Sequence, residues 1–207
     1  MHRIIVAVAL IAAVSPAFAY DKSWYEADYW PGEYPQGFSV KADNVVLKGR
    51  KTPNPATKAT LDCAVPKGAV YHPWNESREA TYRTYSKIVP LTIAQDFVYE
   101  FTNAEGQTSA RTLTPAEKLE YLVYQGEGYF TVRYQGREFT AGQDLFEHVA
   151  PVSQDQFIDD EWVRIPCTNK VEAWILLSDL RGEKDEWVTG LDGPNITEYG
   201  KATDLAP

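Results

Sequence analysis

The residues of this sequence that could do chemistry are mainly carboxylates and aromatic rings. Glu127 lies in the glycine-containing stretch 125–128 beside Tyr129, an apolar setting that would suit a general acid. A second group of acids follows at Asp155, Asp159, Asp160 and Glu161. Two carboxyl groups about 5 to 9 Å apart are what glycosidases use. The sequence favours the simpler alternative, in which Glu127 is a turn residue and the second group is a solvated loop.

Histidine and cysteine give no pattern that is typical of a metal site or a nucleophile. His72 and His148 are far apart, and neither has a second histidine four residues away or a C-x-x-C neighbour. The acids around Asp155 lack the spacing of an EF-hand. No G-x-S-x-G motif occurs in the chain. We therefore predict no metal, no cofactor and no catalytic residue that the sequence can name.

Aromatic side chains are the remaining candidates, because an exposed ring can stack on a sugar or a peptide. The candidate ligand-binding residues lie on predicted hairpins and are Tyr124, Tyr129, Trp162 and Trp174. Strand alternation turns about half of the residues of each strand inward. Packing in the core is therefore the alternative for each of these four rings.

The elements that would position these residues are antiparallel strands. Residues 121–145 alternate apolar and polar side chains between the glycine turns QGEG and QG, and residues 161–177 form a similar pair of strands. The segment Thr114-Pro115-Ala116-Glu117 is a capping box. It predicts at most one helical turn, followed by a strand, with a full helix to Gly126 as the alternative.

The N-terminus has the pattern of a secretory signal at residues 1–19. A short basic start precedes an apolar run of about 11 residues, and Ala17-Phe18-Ala19 fits an A-x-A cleavage site. Such a run is shorter than the roughly 20 residues that a membrane-spanning helix needs. The predicted mature chain has no transmembrane segment and is periplasmic or secreted. It would keep 19 Lys and Arg against 29 Asp and Glu, a net charge of −10.

Composition excludes several classes of protein. An acidic chain with a pI near 4.9 lacks the basic clusters of a nucleic-acid binder. Aromatic residues at 13% and apolar residues at 44% argue against global disorder. The two cysteines, Cys63 and Cys167, would meet an oxidising compartment after export, so we predict a disulfide between them. That bond would leave no thiol for catalysis.

Two terminal segments differ from the β-rich body predicted at residues 40–182. Residues 20–39 form an arm that is rich in aromatic residues, proline and glycine, and we expect it to lie along the body. A surface for stacking on sugar or peptide is the alternative role of this arm. Residues 183–207 form a charged tail, in which Trp187, Val188 and Leu191 are the residues that could dock.

The segment EWVRIPCTNKVEAWILLSDL resembles the ending of bacterial SH3-like modules. Trp162-Val163-Arg164-Ile165, Ala173-Trp174-Ile175 and Ser178-Asp179-Leu180 match the Trp-Val-x-Val, Gly-Trp-Val and closing leucine of that family. The family's Asn-Val-Arg-x-Gly-Pro opening is absent. The resemblance covers about 20 residues. It implies one or two small barrels in an envelope or secreted protein that binds peptidoglycan or a protein partner.

These observations combine into one prediction of fold and function. We expect a mostly-β protein of small SH3-like barrels built from antiparallel hairpins, with an aromatic N-terminal arm and at most short helices. Its function would be that of an exported, non-catalytic binding or assembly module of the bacterial cell envelope. The alternative is a periplasmic enzyme acting on cell-wall glycan or peptide, with Glu127 or His148 in an acid–base site.

Overall fold

The computed structural model describes residues 20–32, 36–74, 79–102, 106–182, 186–193, 196–198 and 201–202. The predicted signal sequence lies outside the described residues. Strands dominate what is described and the helices are three or four residues long, which confirms the predicted mostly-β class. The antiparallel strands of this part form open sheets and no closed barrel. No helix in it is long and apolar enough to cross a membrane.

The first group of sheets is built from both ends of the chain. Its largest sheet has the order β1-β6-β13-β14, and a three-stranded sheet has the order β15-β2-β5. The strands of the four-stranded sheet are β1 (Trp24–Ala27), β6 (Thr81–Lys87), β13 (Asp159–Pro166) and β14 (Glu172–Leu176). The remaining strands are β2 (Phe38–Val40), β3 (Val46–Gly49), β4 (Leu61–Ala64), β5 (Val70–Tyr71) and β15 (Leu191–Asp192), with β3 paired to β4.

The second group comes from the middle of the chain. Its four-stranded sheet has the order β12-β11-β10-β7 and consists of β7 (Val89–Thr92), β10 (Lys118–Gly126), β11 (Tyr129–Tyr134) and β12 (Arg137–Gly142). A hairpin of β8 (Phe97–Thr102) and β9 (Thr108–Leu113) precedes β10. Helix α1 (Leu145–His148) and two 3-10 helices, Gln154–Gln156 and Leu177–Leu180, complete the helical content described. Near the C-terminus β16 (Ile196–Glu198) pairs with β17 (Lys201–Ala202).

The predicted hairpins of the middle segment are present. Glu127 and Gly128 both have positive φ, 52° and 78°, and so have Gln135 and Gly136 at 49° and 77°. Two successive positive φ values make the type I′ turn, whose twist matches that of the strands it joins. The β10–β11 and β11–β12 connections are therefore tight, and each strand lies directly beside the next.

The capping box at residues 114–117 is followed by a turn rather than by a helix. The backbone N–H of Thr114 donates to the Glu117 carboxylate at 2.6 Å, as a capping box requires. Ala116 then has a φ of 76°, which a right-handed helix does not allow. Strand β10 begins directly afterwards at Lys118. The predicted turn followed by a strand is confirmed, and the alternative of a helix to Gly126 is wrong.

Two separate hydrophobic clusters hold the sheets together. The first cluster lies among the strands of the first group and includes Trp30, Phe38, Val163, Ile165 and Ile175. The second cluster lies among β7 to β12 and α1 and includes Val89, Leu91, Leu113, Val132 and Leu145. The first cluster thus packs strands of the first group together, and the second cluster packs those of the second group.

The predicted disulfide between Cys63 and Cys167 is confirmed. The two Cα atoms are 5.1 Å apart, a usual separation for bonded cysteines. Both residues belong to the first cluster and are 0% and 7% exposed. The bond therefore ties β4 to the end of β13 inside the first group of sheets.

Strand pairing crosses both boundaries predicted around the body at residues 40–182. In the predicted arm, Trp24–Ala27 pairs with β6, and Phe38–Val40 begins the three-stranded sheet. In the predicted tail, Leu191 pairs with Val40, and Trp187 packs against the first cluster. These parts of the arm and tail are thus integral to the first group of sheets.

Candidate functional site

An aromatic pocket of about 370 Å³ lies on the core side of the second sheet. It is lined by five aromatic rings and two primary amides, and every lining side chain is uncharged. The lining residues are Tyr121, Tyr124, Phe130, Gln143, Phe146, Gln154 and Phe157. A concave site of aromatic walls with a few polar groups is typical of ligand-binding pockets.

Strand β10 supplies two of these rings because its register is irregular. Tyr121 pairs with Val132 and Tyr124 pairs with Phe130, with a register shift between Tyr121 and Val123. A shift of this kind puts an extra residue on one strand and re-aims the side chains that follow. The side chains of Tyr121 and Tyr124 can therefore face the same pocket although three residues separate them.

Four of the rings form a closed box. Tyr121 contacts Phe157 and Phe130 at centroid distances of 4.8 and 5.6 Å, and Phe146 contacts Phe130 and Phe157 at 5.1 and 5.8 Å. The interplanar angles run from 57° to 87°, so the rings meet edge to face rather than in a stack. Tyr124 joins the box through Phe130 at 5.4 Å. Contacts of this kind pack the four rings against one another, and together they form a wall of the pocket.

Segments outside the strands close the box. Phe146 comes from α1, and Phe157 follows the 3-10 helix Gln154–Gln156. At the turn between β10 and β11, the Gly128 N–H donates to the Tyr124 hydroxyl at 3.2 Å. A Cβ added to Gly128 would lie 3.2 Å from Oε1 of Gln143, so the turn packs closely on this lining amide. The pocket walls are thus fixed by contacts along its rim.

A second depression of about 630 Å³ is a weaker candidate. It is open and is lined by Asp21, Lys22, Ser23, Ile88, Pro90 and Glu120. Its carboxylates already have partners, because Asp21 accepts from the Ser23 N–H at 2.8 Å and Glu120 accepts from Arg133 Nε at 2.7 Å. Charged groups that are already paired offer less to a ligand than the free amides and rings of the aromatic pocket.

The four sequence-predicted ligand-binding residues are not brought together. Tyr124 is half-buried and lines the aromatic pocket. Tyr129 is 50% exposed, and strand alternation turns it away from the side on which Phe130 lines the pocket. Trp174 is half-buried, with the Arg164 guanidinium 6.0 Å from its ring centroid.

Trp162 is a core residue, which corrects its assignment as a surface for ligand stacking. Its side chain is 0% exposed. Its Nε1 donates to the Tyr20 hydroxyl at 2.8 Å, and the Arg50 guanidinium lies 5.3 Å from its ring centroid. With both faces and its N–H covered, Trp162 offers no surface to a ligand.

The acid–base residues considered for an enzyme are likewise separate. Glu127 is an exposed turn residue. His148 ends α1, its ring lies 5.5 Å from Phe97, and its buried Nδ1 has no hydrogen-bond partner among the described residues. Neither side chain forms an ion pair in that part of the chain. No three His, Cys, Asp or Glu side chains within it converge as a metal-binding group.

The predicted acidic loop contains one strongly perturbed carboxyl. Burial raises the pKa of Glu161 from 4.5 to about 7, and the negative charge of Asp159 adds to the rise while Arg181 opposes it. Asp160 lies on the other face of β13, where it accepts a hydrogen bond of 2.7 Å from the Tyr20 hydroxyl. Burial also raises the pKa of Asp159. The larger shift is that of Glu161, whose ionisation is therefore the most strongly tied to folding.

We expect Glu161→Gln to remove a pH-dependent loss of stability. An acid whose pKa is higher in the folded chain stabilises the fold fully below its unfolded pKa of about 4.5 and loses that contribution as the pH rises through 7. At pH 8 the variant should be more stable than the wild type by about 1–3 kcal/mol. Urea unfolding between pH 4.5 and 8 measures this, with the exposed Glu172→Gln as control. Equal pH slopes for Glu161→Gln and the wild type would refute the assignment.

Sequence reasoning found Tyr124 but missed the other residues of the pocket. Strand alternation gave a usable signal for Phe130, which lies opposite Tyr124 in the hairpin. Phe146 and Phe157 are aromatic residues outside any strand, and a large ring in such a segment needs a place to pack. No sequence signal marks the amides of Gln143 and Gln154.

Comparison with known proteins finds no relative of this chain. No family model, no curated protein and no solved structure matches the chain. The likeness of its C-terminal hairpin to SH3-like modules therefore stays a prediction, and the aromatic pocket is the observation from which a function is inferred.

Proposed function

We propose that this chain is an exported, non-catalytic binding module of the bacterial cell envelope that takes its ligand into the aromatic pocket. The ligand is peptidoglycan or an envelope protein. The observation that carries the proposal is the box of rings with Gln143 and Gln154 at its wall. Ring faces can cover the apolar side of a sugar or an amino-acid side chain, while primary amides can both donate and accept hydrogen bonds.

Two further observations support binding rather than turnover. The lining of the pocket contains no Asp, Glu, His, Lys or Cys, and its only ionisable groups are two tyrosine hydroxyls. Glu127 and His148, the residues that the enzyme alternative requires, make no acid–base pair in the described part of the chain. A site of this composition can hold and orient a ligand, and it lacks the histidine and carboxylate groups that general acid–base catalysis most often uses.

The test is retention of the mature protein on envelope extract, with and without prior digestion of the wall. Retention that is lost on digestion identifies peptidoglycan as the ligand, and retention that survives it identifies a protein partner. Catalytic release of wall fragments by the purified protein would overturn the non-catalytic part of the proposal.

Tyr124→Ala is expected to weaken retention about tenfold, because one wall of the box is removed. Tyr129→Ala is the matched control, since it makes the same substitution on the neighbouring strand but outside the pocket. Binding isotherms of the two variants and the wild type on the retaining fraction give the ratio of affinities. A larger loss for Tyr129→Ala than for Tyr124→Ala would show that the ligand binds elsewhere.

A further inference from the structure

Several residues that line the aromatic pocket have an acidic residue as their neighbour in the sequence. Asp144 follows Gln143, Glu147 follows Phe146, and Asp155 follows Gln154. Adjacent Cα atoms are 3.8 Å apart, so each of these acids begins at the pocket wall. Glu120 precedes Tyr121 but is half-buried and ion-paired with Arg133. The exposed acids within three residues of a lining residue are Glu127, Asp144, Glu147, Asp155 and Asp159.

Positive side chains are missing from the same stretches of sequence. All seven lining residues lie within residues 119–132 and 138–163, which contain no Lys and no Arg. These stretches contain nine Asp and Glu, two in the first and seven in the second. None of the five acids near the pocket forms an ion pair with Lys or Arg in the described part of the chain. Ion pairing with Lys or Arg in the described part of the chain therefore does not neutralise their charge.

The field of one of these acids reaches a lining ring. Burial raises the pKa of the Tyr121 hydroxyl, and the negative charge of Asp159 raises it further. Asp159 is only two residues beyond the lining residue Phe157, which limits the separation of their Cα atoms to about 7 Å. A charge that acts on Tyr121 from this position also acts on whatever occupies the pocket.

We infer that the aromatic pocket binds an organic cation, namely the alkylammonium group of a peptide side chain. A box of ring faces attracts an ammonium group through the ring quadrupoles, and the attraction is larger where water is displaced. The surrounding carboxylates add a complementary charge and favour encounter with cations over anions. This inference rests on the proposed binding function and specifies the chemical class of the ligand.

The ring geometry distinguishes this ligand from a flat one. A sugar ring or an aromatic side chain needs an extended face on which to stack, whereas the rings here meet at 57° to 87° and form no continuous flat face. A roughly spherical head such as an ammonium or methylated ammonium group can contact several of these faces at once. A volume of about 370 Å³ leaves room for the aliphatic stem that carries it.

The experiment compares three probes in NMR titrations of the mature protein. The probes are Nα-acetyl-lysine amide, its Nε-trimethyl form, and the uncharged analogue in which a tert-butyl group replaces the trimethylammonium group. We expect the trimethyl form to bind at least tenfold more tightly than the tert-butyl analogue, which has the same shape but no charge. We also expect its affinity to fall as salt is raised.

Variants assign the effect to the site. Asp155→Asn/Asp159→Asn should weaken binding of the trimethyl probe several-fold and leave the tert-butyl analogue unchanged. Tyr124→Ala should weaken both probes because the ring face is lost. The control is Glu172→Gln, an exposed acid of the first group of sheets, which should change neither affinity.

The outcomes separate this inference from the function on which it rests. Equal affinity for the trimethyl and tert-butyl probes, both lost in Tyr124→Ala, would overturn the cation and keep the pocket as a binding site. Absence of binding by every probe would also overturn the cation, while retention on envelope extract still decides the binding function. Elution of retained protein by the trimethyl probe, from undigested wall or from wall-free protein extract, supports the inference and identifies the source of the ammonium group.

Discussion

Trp162→Ala is expected to lower the free energy of unfolding by about 3–5 kcal/mol. The indole is fully buried, so its removal leaves a cavity as well as losing the transfer of a large apolar surface. The surrounding strands limit collapse, since Trp162 pairs with Leu176 on one side and with Arg83 on the other. A site held on both sides of its strand relaxes little, which puts the cost in the upper range for core substitutions.

Polar contacts around Trp162 add to the cost. Its Nε1 donates to the Tyr20 hydroxyl, which in turn donates to Asp160 at 2.7 Å. Its backbone carbonyl accepts a hydrogen bond of 2.9 Å from Trp30 Nε1. The Arg50 guanidinium beside the ring is also bonded to Asp179 and to the Thr57 carbonyl. Loss of the ring leaves the Tyr20 hydroxyl without the Trp162 donor and the Arg50 guanidinium without the ring that packs against it.

Chemical denaturation of the mature protein measures the effect, with Trp174→Ala as the matched control. Trp174 lies on the same face of the same sheet, because it pairs with Arg164, two residues after Trp162. Its side chain is only half-buried, so its truncation should cost clearly less. Trp162→Phe separates the two contributions, because it keeps most of the packing and removes the donor to Tyr20. A smaller loss for Trp162→Ala than for Trp174→Ala would contradict the assignment of Trp162 to the core.

This pair of tryptophans shows how far sequence alone could go. Two strand-like runs around the turn Cys167–Lys170 predicted the β13–β14 hairpin, and the register places both rings on one face. Their difference comes from residues distant in sequence. Tyr20 and Arg50 cover Trp162, and they are 142 and 112 positions away from it. A local pattern decides which face a side chain joins, but coverage of that face depends on tertiary contacts.

The aromatic pocket could be predicted in part for the same reason. Tyr124 lies in a hairpin that the sequence marks clearly, and its β10–β11 turn has the geometry expected of glycine after a residue with positive φ. The register shift after Tyr121 has no sequence signature, and it decides which side chains of β10 share a face. Phe146 and Phe157 reach the box from segments that are not strands. Composition gave the acidic charge, but only the fold shows that it borders a pocket.

Loss of the disulfide is the second large effect, and Cys63→Ala/Cys167→Ala is expected to lower the free energy of unfolding by about 3–5 kcal/mol. The cysteines are 104 residues apart, so the bond closes a long loop and strongly restricts the unfolded chain. Both side chains are buried in the first cluster, and two alanines leave the volume of both sulfur atoms unfilled.

Two independent measurements check this prediction. The wild type under reducing conditions should show most of the shift in the urea midpoint that the double variant shows, because both lose the same constraint and only the double variant also loses the sulfur volume. The single variant Cys63→Ala leaves a free thiol at Cys167, so a midpoint equal to that of the double variant confirms that the cross-link dominates. A loss below about 1 kcal/mol in the double variant would mean that the unfolded chain is already compact around this loop.

Loss of the disulfide should lower the stability of the protein but not its affinity for the ligand. Every residue that lines the aromatic pocket precedes β13, and the box packs on the second cluster, whereas both cysteines belong to the first. At a temperature where the double variant is still folded, its affinity for the ligand should therefore equal that of the wild type. A parallel loss of affinity would show that the first cluster positions the pocket. The first cluster would then act through the lining residue Phe157, since β13 begins two residues after it.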